Sequence, residues 1–189
     1  MNNTTFYKKS IKEYGISAQG VHWNSKYTQY KRFEILTKFI KKDIKTSTIV
    51  DAGCGFADLY KYLKSNNKLP LKYIGIDSEE IMINPAKKLH PTLELYVKNI
   101  LIDELIEVDY YICSGAMNIL KKEEVFLFIK RCFLYSKKGF IFNFLKSLSF
   151  NNVSIEEVLE YCNTLSDNIK IKDNYLENDI SIMIGSIKK

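Results

Sequence analysis

The sequence has few of the residues from which metal sites and disulfide frameworks are built. It contains 4 cysteines and 2 histidines in 189 residues, and no C-x-x-C pair occurs. Zinc sites need such residues in close clusters, and disulfide-stapled domains are small chains with closely spaced cysteines. The composition therefore predicts no metal site, and it predicts thiols that stay reduced in the cytoplasm. The residues concerned are Cys54, Cys113, Cys132, Cys162, His22 and His90.

Long apolar runs are also missing from the sequence. No run approaches the ~20 residues that a membrane-spanning helix needs. The polar start, MNNTTFYKKS, lacks the apolar segment of a secretory signal. We therefore expect a cytoplasmic protein that does not enter a membrane.

The excess of positive charge is modest and dispersed. The formal net charge is +6, from 28 basic and 22 acidic residues. A nucleic-acid-binding surface would need this excess clustered on one face. The lysines are instead spread along the chain, and the dense group within residues 38–45 is typical of a solvated helix face. The net charge is compatible with a nucleic-acid partner, but no sequence motif supports one.

Short apolar runs alternate with helical patterns along the chain. Runs with little polar alternation are typical of strands buried on both faces of a parallel sheet. The predicted strands are 48–52, 73–77, 93–97, 110–114 and 139–144, and the predicted helices are 27–45, 57–65, 78–89, 121–136 and 154–165. Lys137 and Lys138 followed by Gly139 are expected to end the fourth helix, and Ser154 with Glu157 forms a capping box that opens the fifth.

Two strand-like runs, NIKIK and DISIMIGSI, close the chain and predict an antiparallel pair. Hydrophobic residues make up 46% of the sequence, and no composition break divides it. The chain is long enough to bury a core of its own. We expect one α/β domain over residues 1–189, with a mostly parallel sheet, helices on both faces and an antiparallel C-terminal edge.

The stretch VDAGCGFADL places two glycines where the first predicted strand turns into its helix. In open α/β sheets, ligands bind at the carboxyl ends of such strands. A dinucleotide-binding loop would need a third glycine where Asp58 stands, and an acid there repels a pyrophosphate. No G-K-[ST] follows the glycines, so a phosphate-binding Walker loop is excluded as well.

A ligand that carries an adenosine and an amino group but no phosphate fits this loop. Asp51 and Asp58 would attract the amino group. Asp77 ends the second predicted strand, 22 residues after Gly55, where a carboxylate can accept hydrogen bonds from ribose hydroxyls. S-adenosylmethionine meets all of these requirements.

The chain resembles the class I S-adenosylmethionine-dependent methyltransferases from about Val21 to its end. VDAGCGFADL resembles the first motif of that family, YIGIDSEEIM the second, LYVKNI the third, and DYYICSGAMNI the motif of the fourth strand. Asn99 stands where the third motif usually offers an aspartate near adenine. Ala57 stands where many members have a further glycine, and this change is expected only to tighten the loop.

The resemblance implies a Rossmann-like three-layer α/β/α sandwich with a seven-stranded sheet, and S-adenosylmethionine as the cofactor. The N-terminal GVHWNSKYTQYKRFEIL resembles a leader that closes over the methionine end in a subset of the family, so residues 1–45 are expected to form a helical lid. Arg32 would pair with the methionine carboxylate, and Trp23 would stack near the sulfonium. The implied cofactor-binding residues are Trp23, Arg32, Asp51, Gly53, Cys54, Gly55, Asp77, Ser78, Met82, Asn99, Ile100 and Ser114.

Most of these residues have a structural alternative. Asp77 also suits a helix cap, and Asn99 suits a turn. Arg32 suits a salt bridge, Trp23 suits a core position, and Cys54 suits a small buried residue without a catalytic base.

The acceptor of the methyl group has no clear motif. The family members that methylate base amines carry an Asn/Asp-Pro-Pro-aromatic loop after the fourth strand, whereas this chain has SGAMNIL. Asn118 and Tyr111 are candidates for acceptor contacts, and no catalytic residue is assigned. A small metabolite is the expected acceptor, and the alternatives are a non-catalytic cofactor-binding subunit of a partner protein and an RNA-directed methyltransferase.

Overall fold

The computed structural model describes residues 25–147 and 152–186. Its sheet contains strands β1 Thr48–Ala52, β2 Lys72–Asp77, β3 Glu94–Val97, β4 Val108–Cys113, β5 Ser136–Leu145, β6 Ile169–Lys172 and β7 Asp179–Gly185. The order across the sheet is β3-β2-β1-β4-β5-β7-β6. The first five strands are parallel, and β7 runs antiparallel to both β5 and β6. The expected seven-stranded sheet with an antiparallel edge is confirmed.

Helices cover both faces of the sheet. They are α1 Lys26–Lys38, α2 Asp58–Ser65, α3 Glu80–Leu89, α4 Lys122–Leu134 and α5 Ile155–Leu165. One apolar cluster joins α1, α2 and α3 to the sheet, and a second joins α4 and α5 to its other face. None of the helices in the described segments is long and apolar enough to cross a bilayer.

Successive residues of the central strands enter different layers of the core. Ile49 and Val50 in β1 are both fully buried, and they belong to the two opposite apolar clusters. The same holds for Tyr111 and Ile112 in β4. Because both faces are covered, these strands carry no polar alternation, which is the pattern from which they were predicted.

The boundary between α4 and β5 differs from the prediction. The helix ends at Leu134, and Lys137 and Lys138 lie inside the strand rather than in a last helical turn. Gly139 is not a helix stop, because it lies within β5, where a Cβ would be 2.5 Å from the carbonyl oxygen of Ile184 in β7. The glycine is therefore required by strand pairing.

The first helix is shorter than predicted. It ends at Lys38, where the Phe39 N–H bonds to the Leu36 carbonyl only three residues back. The chain then turns, and Ile40 and Ile44 reach the same apolar cluster from this turn, which includes a 3-10 segment at Ile44–Thr46. Residues 1–24 of the predicted lid, with Trp23, lie outside the described residues.

The predicted capping box at the start of α5 is present. The Ser154 hydroxyl accepts the Glu157 N–H at 3.2 Å, and the Glu157 carboxylate accepts the Ser154 N–H at 2.9 Å. Two backbone donors that would lack partners at the helix start are thus satisfied.

Candidate functional site

Two adjoining cavities open at the carboxyl ends of β1, β2 and β4. The first cavity, of about 180 Å³, lies against the glycine loop and α1, and the second, of about 70 Å³, lies against the segment after β3. Gly53, Asp77, Ala116 and Ile119 line both of them. The two cavities therefore adjoin at these four residues, and together they are called the cleft.

The glycine loop folds over the end of β2. The Gly53 and Cys54 N–H groups both donate to the Ile76 carbonyl, at 2.8 and 3.0 Å. Gly53 has a φ of 80°, and a Cβ added there would overlap the Cβ of Ala116. Glycine is thus required by the backbone conformation and by the approach of the segment after β4, in addition to any ligand.

Ala57 is strained at the position where many methyltransferases have a glycine. Its φ is 59° and its ψ is 40°, in the left-handed region, and it is fully buried at the start of α2. A side chain in this conformation costs about 1 kcal/mol relative to glycine. The alanine therefore strains the loop as well as filling space in it.

Asp77 braces the glycine loop from the end of β2. One carboxylate oxygen accepts the Gly55 N–H and the other accepts the Glu79 N–H, both at 2.9 Å. The helix cap is Glu79 rather than Asp77. Burial raises the pKa of Asp77 to about 6, against the lowering effect of the two backbone hydrogen bonds. Each oxygen keeps a lone pair with which it can accept a further hydrogen bond.

Asp51 is a buried carboxylate on the wall of the first cavity. It is 3% exposed and accepts a hydrogen bond from the Tyr73 hydroxyl at 2.5 Å. Burial raises the pKa of Asp51 to about 7, and the negative charges of Asp77 and Asp58 act in the same direction while the Tyr73 bond opposes them. A cation placed beside Asp51 would stabilise its ionised form and so lower this pKa.

The first cavity carries acidic side chains without basic ones. Asp51, Asp58 and Asp77 line it, and no lysine or arginine does so among residues 25–147 and 152–186. Asp58 also accepts a hydrogen bond from Gln29 at 3.2 Å and pairs with Lys61 at 3.0 Å. A phosphate would be repelled here, whereas an ammonium or sulfonium group would be attracted.

The loop after β3 forms the wall of the second cavity. The Asn99 side-chain oxygen accepts the Leu101 N–H at 2.9 Å, and the Asn99 N–H donates to Asp103 at 2.7 Å. Arg131 of α4 fixes the loop by donating to the carbonyls of Ile100 and Asp103. Asn99 is therefore a turn residue, and one lone pair of its oxygen is already used.

Arg32 is paired with a different carboxylate from the one expected. Its guanidinium binds both oxygens of Asp179 at the start of β7, at 2.6 and 2.5 Å, and it lines neither cavity. This contact is the salt bridge expected from the sequence as the structural alternative for Arg32. Helix α1 instead contributes Gln29 and Phe33 to the first cavity. Nothing in the sequence indicated this role for either residue.

The structure brings the other predicted site residues together. All of them except Trp23, which is not described, and Arg32 line one of the two cavities. Cys54 is 7% exposed, and burial together with nearby carboxylates raises the pKa of its thiol well above the usual range, which disfavours the thiolate that a nucleophile needs. Tyr111 faces away from the cleft, because it is fully buried and its hydroxyl donates to the Ile106 carbonyl at 2.7 Å.

The segment after β4 carries polar atoms that have no partner. Gly115, with a φ of 81°, leads into a 3-10 helix at Ala116–Ile119. The Ser114 hydroxyl and the Asn118 side-chain oxygen are buried and make no hydrogen bond, and both residues line the first cavity. No group of His, Cys, Asp or Glu within the described segments could hold a metal ion.

Solved structures share this architecture over almost the whole chain. The PH0226 protein from Pyrococcus horikoshii OT3 superposes with a TM-score of 0.74 at 15% identity, covering 97% of this chain and 99% of that one. The plantazolicin methyltransferase BpumL in complex with SAH gives 0.70 at 13% identity, covering 97% and 94%. The magnesium protoporphyrin IX methyltransferase ChlM from Synechocystis PCC 6803 with bound SAM gives 0.66 at 10% identity, covering 97% of each chain.

These likenesses show the fold, which is that of the class I S-adenosylmethionine-dependent methyltransferases. No protein-family model and no curated protein sequence matches the chain.

Proposed function

We propose that this protein is an S-adenosylmethionine-dependent methyltransferase that acts on a small metabolite. The observation that carries the proposal is the acidic cleft, in which two cavities meet at Asp77 beside the glycine loop. Such a cleft suits a ligand with a nucleoside at one end, a cation at the other and no phosphate. Structures of the same fold with bound SAM and SAH support the choice of cofactor.

Different groups of the described residues are proposed to bind the adenine, the ribose and the methionine end of the cofactor. Adenine occupies the second cavity, against Ile100 and Asn99, with Ser78 at its edge. The ribose hydroxyls donate to Asp77, which the backbone amides hold in place. The methionine end lies in the first cavity, along Gly53, Gly55, Cys54 and Met82.

Charge complementarity holds the reactive end of the cofactor. Asp51 and Asp58 attract the ammonium and the sulfonium. Ser114 also lines this cavity, and the methyl group meets its acceptor beside it. Trp23 is proposed to stack on the sulfonium, as the resemblance of the N-terminal segment implies. Positioning of the acceptor, rather than an acid–base dyad, supplies most of the rate.

Transfer of a labelled methyl group tests the proposal. The protein is incubated with methyl-labelled S-adenosylmethionine and a cell extract, which is then separated by size and treated with nuclease. Label in molecules of low mass is expected. Label in a nuclease-sensitive polymer would instead favour an RNA-directed enzyme, and label in no fraction would favour a non-catalytic cofactor-binding subunit.

Asp51 makes both stability and cofactor affinity depend on pH. Its pKa is raised in the folded protein, so the folded state is favoured at low pH and loses this advantage as the pH rises through about 7. A cationic ligand binds the ionised carboxylate better, so cofactor affinity should rise between about pH 6.5 and about pH 8. Asp51→Asn should remove that rise and increase the unfolding free energy at about pH 8 by about 2–4 kcal/mol.

Calorimetry at the two pH values and urea unfolding at the higher one measure these effects. The asparagine introduced by Asp51→Asn keeps an oxygen that can accept the Tyr73 hydroxyl, so the packing is preserved. A variant that is less stable at the higher pH, or whose affinity still rises across the range, would contradict the role of Asp51. The pKa of Asp77 is also raised, to about 6, so its titration adds a further dependence around that pH.

A further inference from the structure

Buried hydrogen-bond acceptors without partners collect at the ends of β4 and β5. Of the residues that the structure describes, Ser114, Asn118 and Asn143 have such atoms at this edge of the sheet. A buried polar atom without a partner costs about 1–3 kcal/mol, so native proteins rarely keep one away from a ligand or an ordered water. Two of the three, in Ser114 and Asn118, belong to residues that line the first cavity, which points to a polar group that binds there.

The orientation of Asn143 is fixed by its neighbours. Its Nδ2 donates to Asp179 at 3.1 Å, and that carboxylate is also bound by Arg32. The opposite orientation of the amide would place its oxygen against the carboxylate, so the oxygen must point the other way. Cys113 pairs with Phe142, which makes Ser114 and Asn143 the next residues along the two adjacent strands. Asn143 is 1% exposed, so Ser114 and Asn118 are the residues that reach the cavity.

The charges around these atoms exclude an acidic ligand. The first cavity has three carboxylates and, among the described residues, no lining cation. Arg32 of α1 lines neither cavity and is paired with Asp179. A carboxylate or phosphate on the acceptor would therefore be repelled by the three carboxylates, with no lining cation among the described residues to offset the repulsion.

A hydroxyl acceptor is also a poor fit. It would need a base to remove its proton during methyl transfer. None of the described residues that line the first cavity is a histidine, lysine or tyrosine, and its carboxylates, with the pKa of Asp51 raised to about 7 and that of Asp77 to about 6, are weak bases for a hydroxyl. An amine asks less of a base: its ammonium form gives one proton to an ionised carboxylate of the cavity or to water before the transfer, and the neutral nitrogen then has a free lone pair.

We infer that the methyl acceptor is the amino group of a small molecule, held by the Asn118 side-chain oxygen and the Ser114 hydroxyl. The inference rests on the proposed methyltransferase function and names its substrate class. The two oxygens accept hydrogen bonds from N–H groups, which directs the nitrogen lone pair away from them and into the cavity. The lone pair forms the N–C bond with the methyl carbon while the C–S bond breaks, and the electron pair of the C–S bond stays on sulfur as a neutral thioether. The methylated nitrogen then loses one proton to water.

The test combines labelled transfer with separation by charge. The full chain is incubated with methyl-labelled S-adenosylmethionine and an extract filtered to small molecules, and the products are separated on cation and anion exchangers. Label is expected in products that a cation exchanger retains at neutral pH and that elute apart from unreacted S-adenosylmethionine, which is itself a cation. Label in products retained by the anion exchanger, in macromolecules, or in no product would overturn the inference.

Two variants of Asn118 link the result to the site. Asn118→Leu has nearly the same shape without the oxygen, and it should lower methyl transfer at least tenfold. Asn118→Asp keeps an oxygen at the same place and should retain at least a third of the transfer. Equal transfer by Asn118→Leu and the unchanged protein would show that the oxygen is satisfied by water alone, and would overturn the inference.

Calorimetry with S-adenosylmethionine separates this inference from the function on which it rests. If the unchanged protein binds the cofactor but labels acidic products, the acceptor class is wrong and the methyltransferase function stands. If it binds no cofactor, the proposed function itself fails. A thermal melt of each variant identifies any loss of transfer that comes from unfolding.

Discussion

Gly53→Ala is expected to abolish measurable cofactor binding and to lower the free energy of unfolding by about 2–4 kcal/mol. The added methyl group would overlap Ala116, and the φ of 80° disfavours any side chain. The backbone conformation accounts for about 1 kcal/mol, and the overlap for about 1–3 kcal/mol. Because Gly53 and Ala116 line both cavities, displacing either changes the walls of both. Urea unfolding and calorimetry measure the two effects.

A double variant separates the overlap from the backbone strain. Gly53→Ala combined with Ala116→Gly removes the overlapping methyl group and keeps the strained φ. We expect it to unfold at a higher urea concentration than Gly53→Ala alone, with a coupling of about 1–2 kcal/mol. If the two changes are simply additive, the contact between Gly53 and Ala116 is not the cause of the loss.

Asp77→Ala is expected to weaken cofactor binding by about 1–3 kcal/mol, because the ribose hydroxyls lose a charged acceptor. The same change leaves the Gly55 and Glu79 N–H groups without their partner. The glycine loop should therefore become less ordered, which hydrogen exchange at Gly55 would detect. Calorimetry gives the loss of affinity directly.

Asp109→Ala is the matched control for Asp77→Ala. Asp109 also accepts a backbone N–H, from Thr48 at 2.8 Å, but it lies at the amino end of β4, opposite the cleft. Its removal should lower stability without changing cofactor affinity. Equal losses of affinity in both variants would mean that Asp77 acts only through general stability and not through the ribose.

The strands and the glycine loop could be predicted because each is determined by residues that are close together in the sequence. Strands buried on both faces carry continuous apolar residues, so β1 was predicted with its observed limits. Asp77 is the last residue of β2. It lies beside Gly55 because β1 and β2 are parallel and end at the same edge of the sheet. The carboxyl edge of the sheet therefore had to carry the candidate site.

The parts that could not be predicted depend on contacts between distant residues. Arg32 meets a carboxylate 147 positions away, so its partner was not visible on α1. Gly139 is required by the approach of Ile184, which sequence patterns do not reveal, and its role was mistaken for that of a helix stop. The side-chain oxygen of Asn118 likewise has no hydrogen-bond partner, and only the arrangement of its neighbours in the folded protein shows this.

Calorimetric titration of the unchanged protein with S-adenosylmethionine, its demethylated product and NAD tests the central claim most directly. The first cavity is lined by Asp51, Asp58 and Asp77 and by no lysine or arginine among the described residues, and it adjoins the second cavity, in which the nucleoside is proposed to bind. We expect saturable binding of S-adenosylmethionine and of its product, and no binding of NAD. Saturable binding of NAD, with no heat from either sulfur compound, would contradict the account.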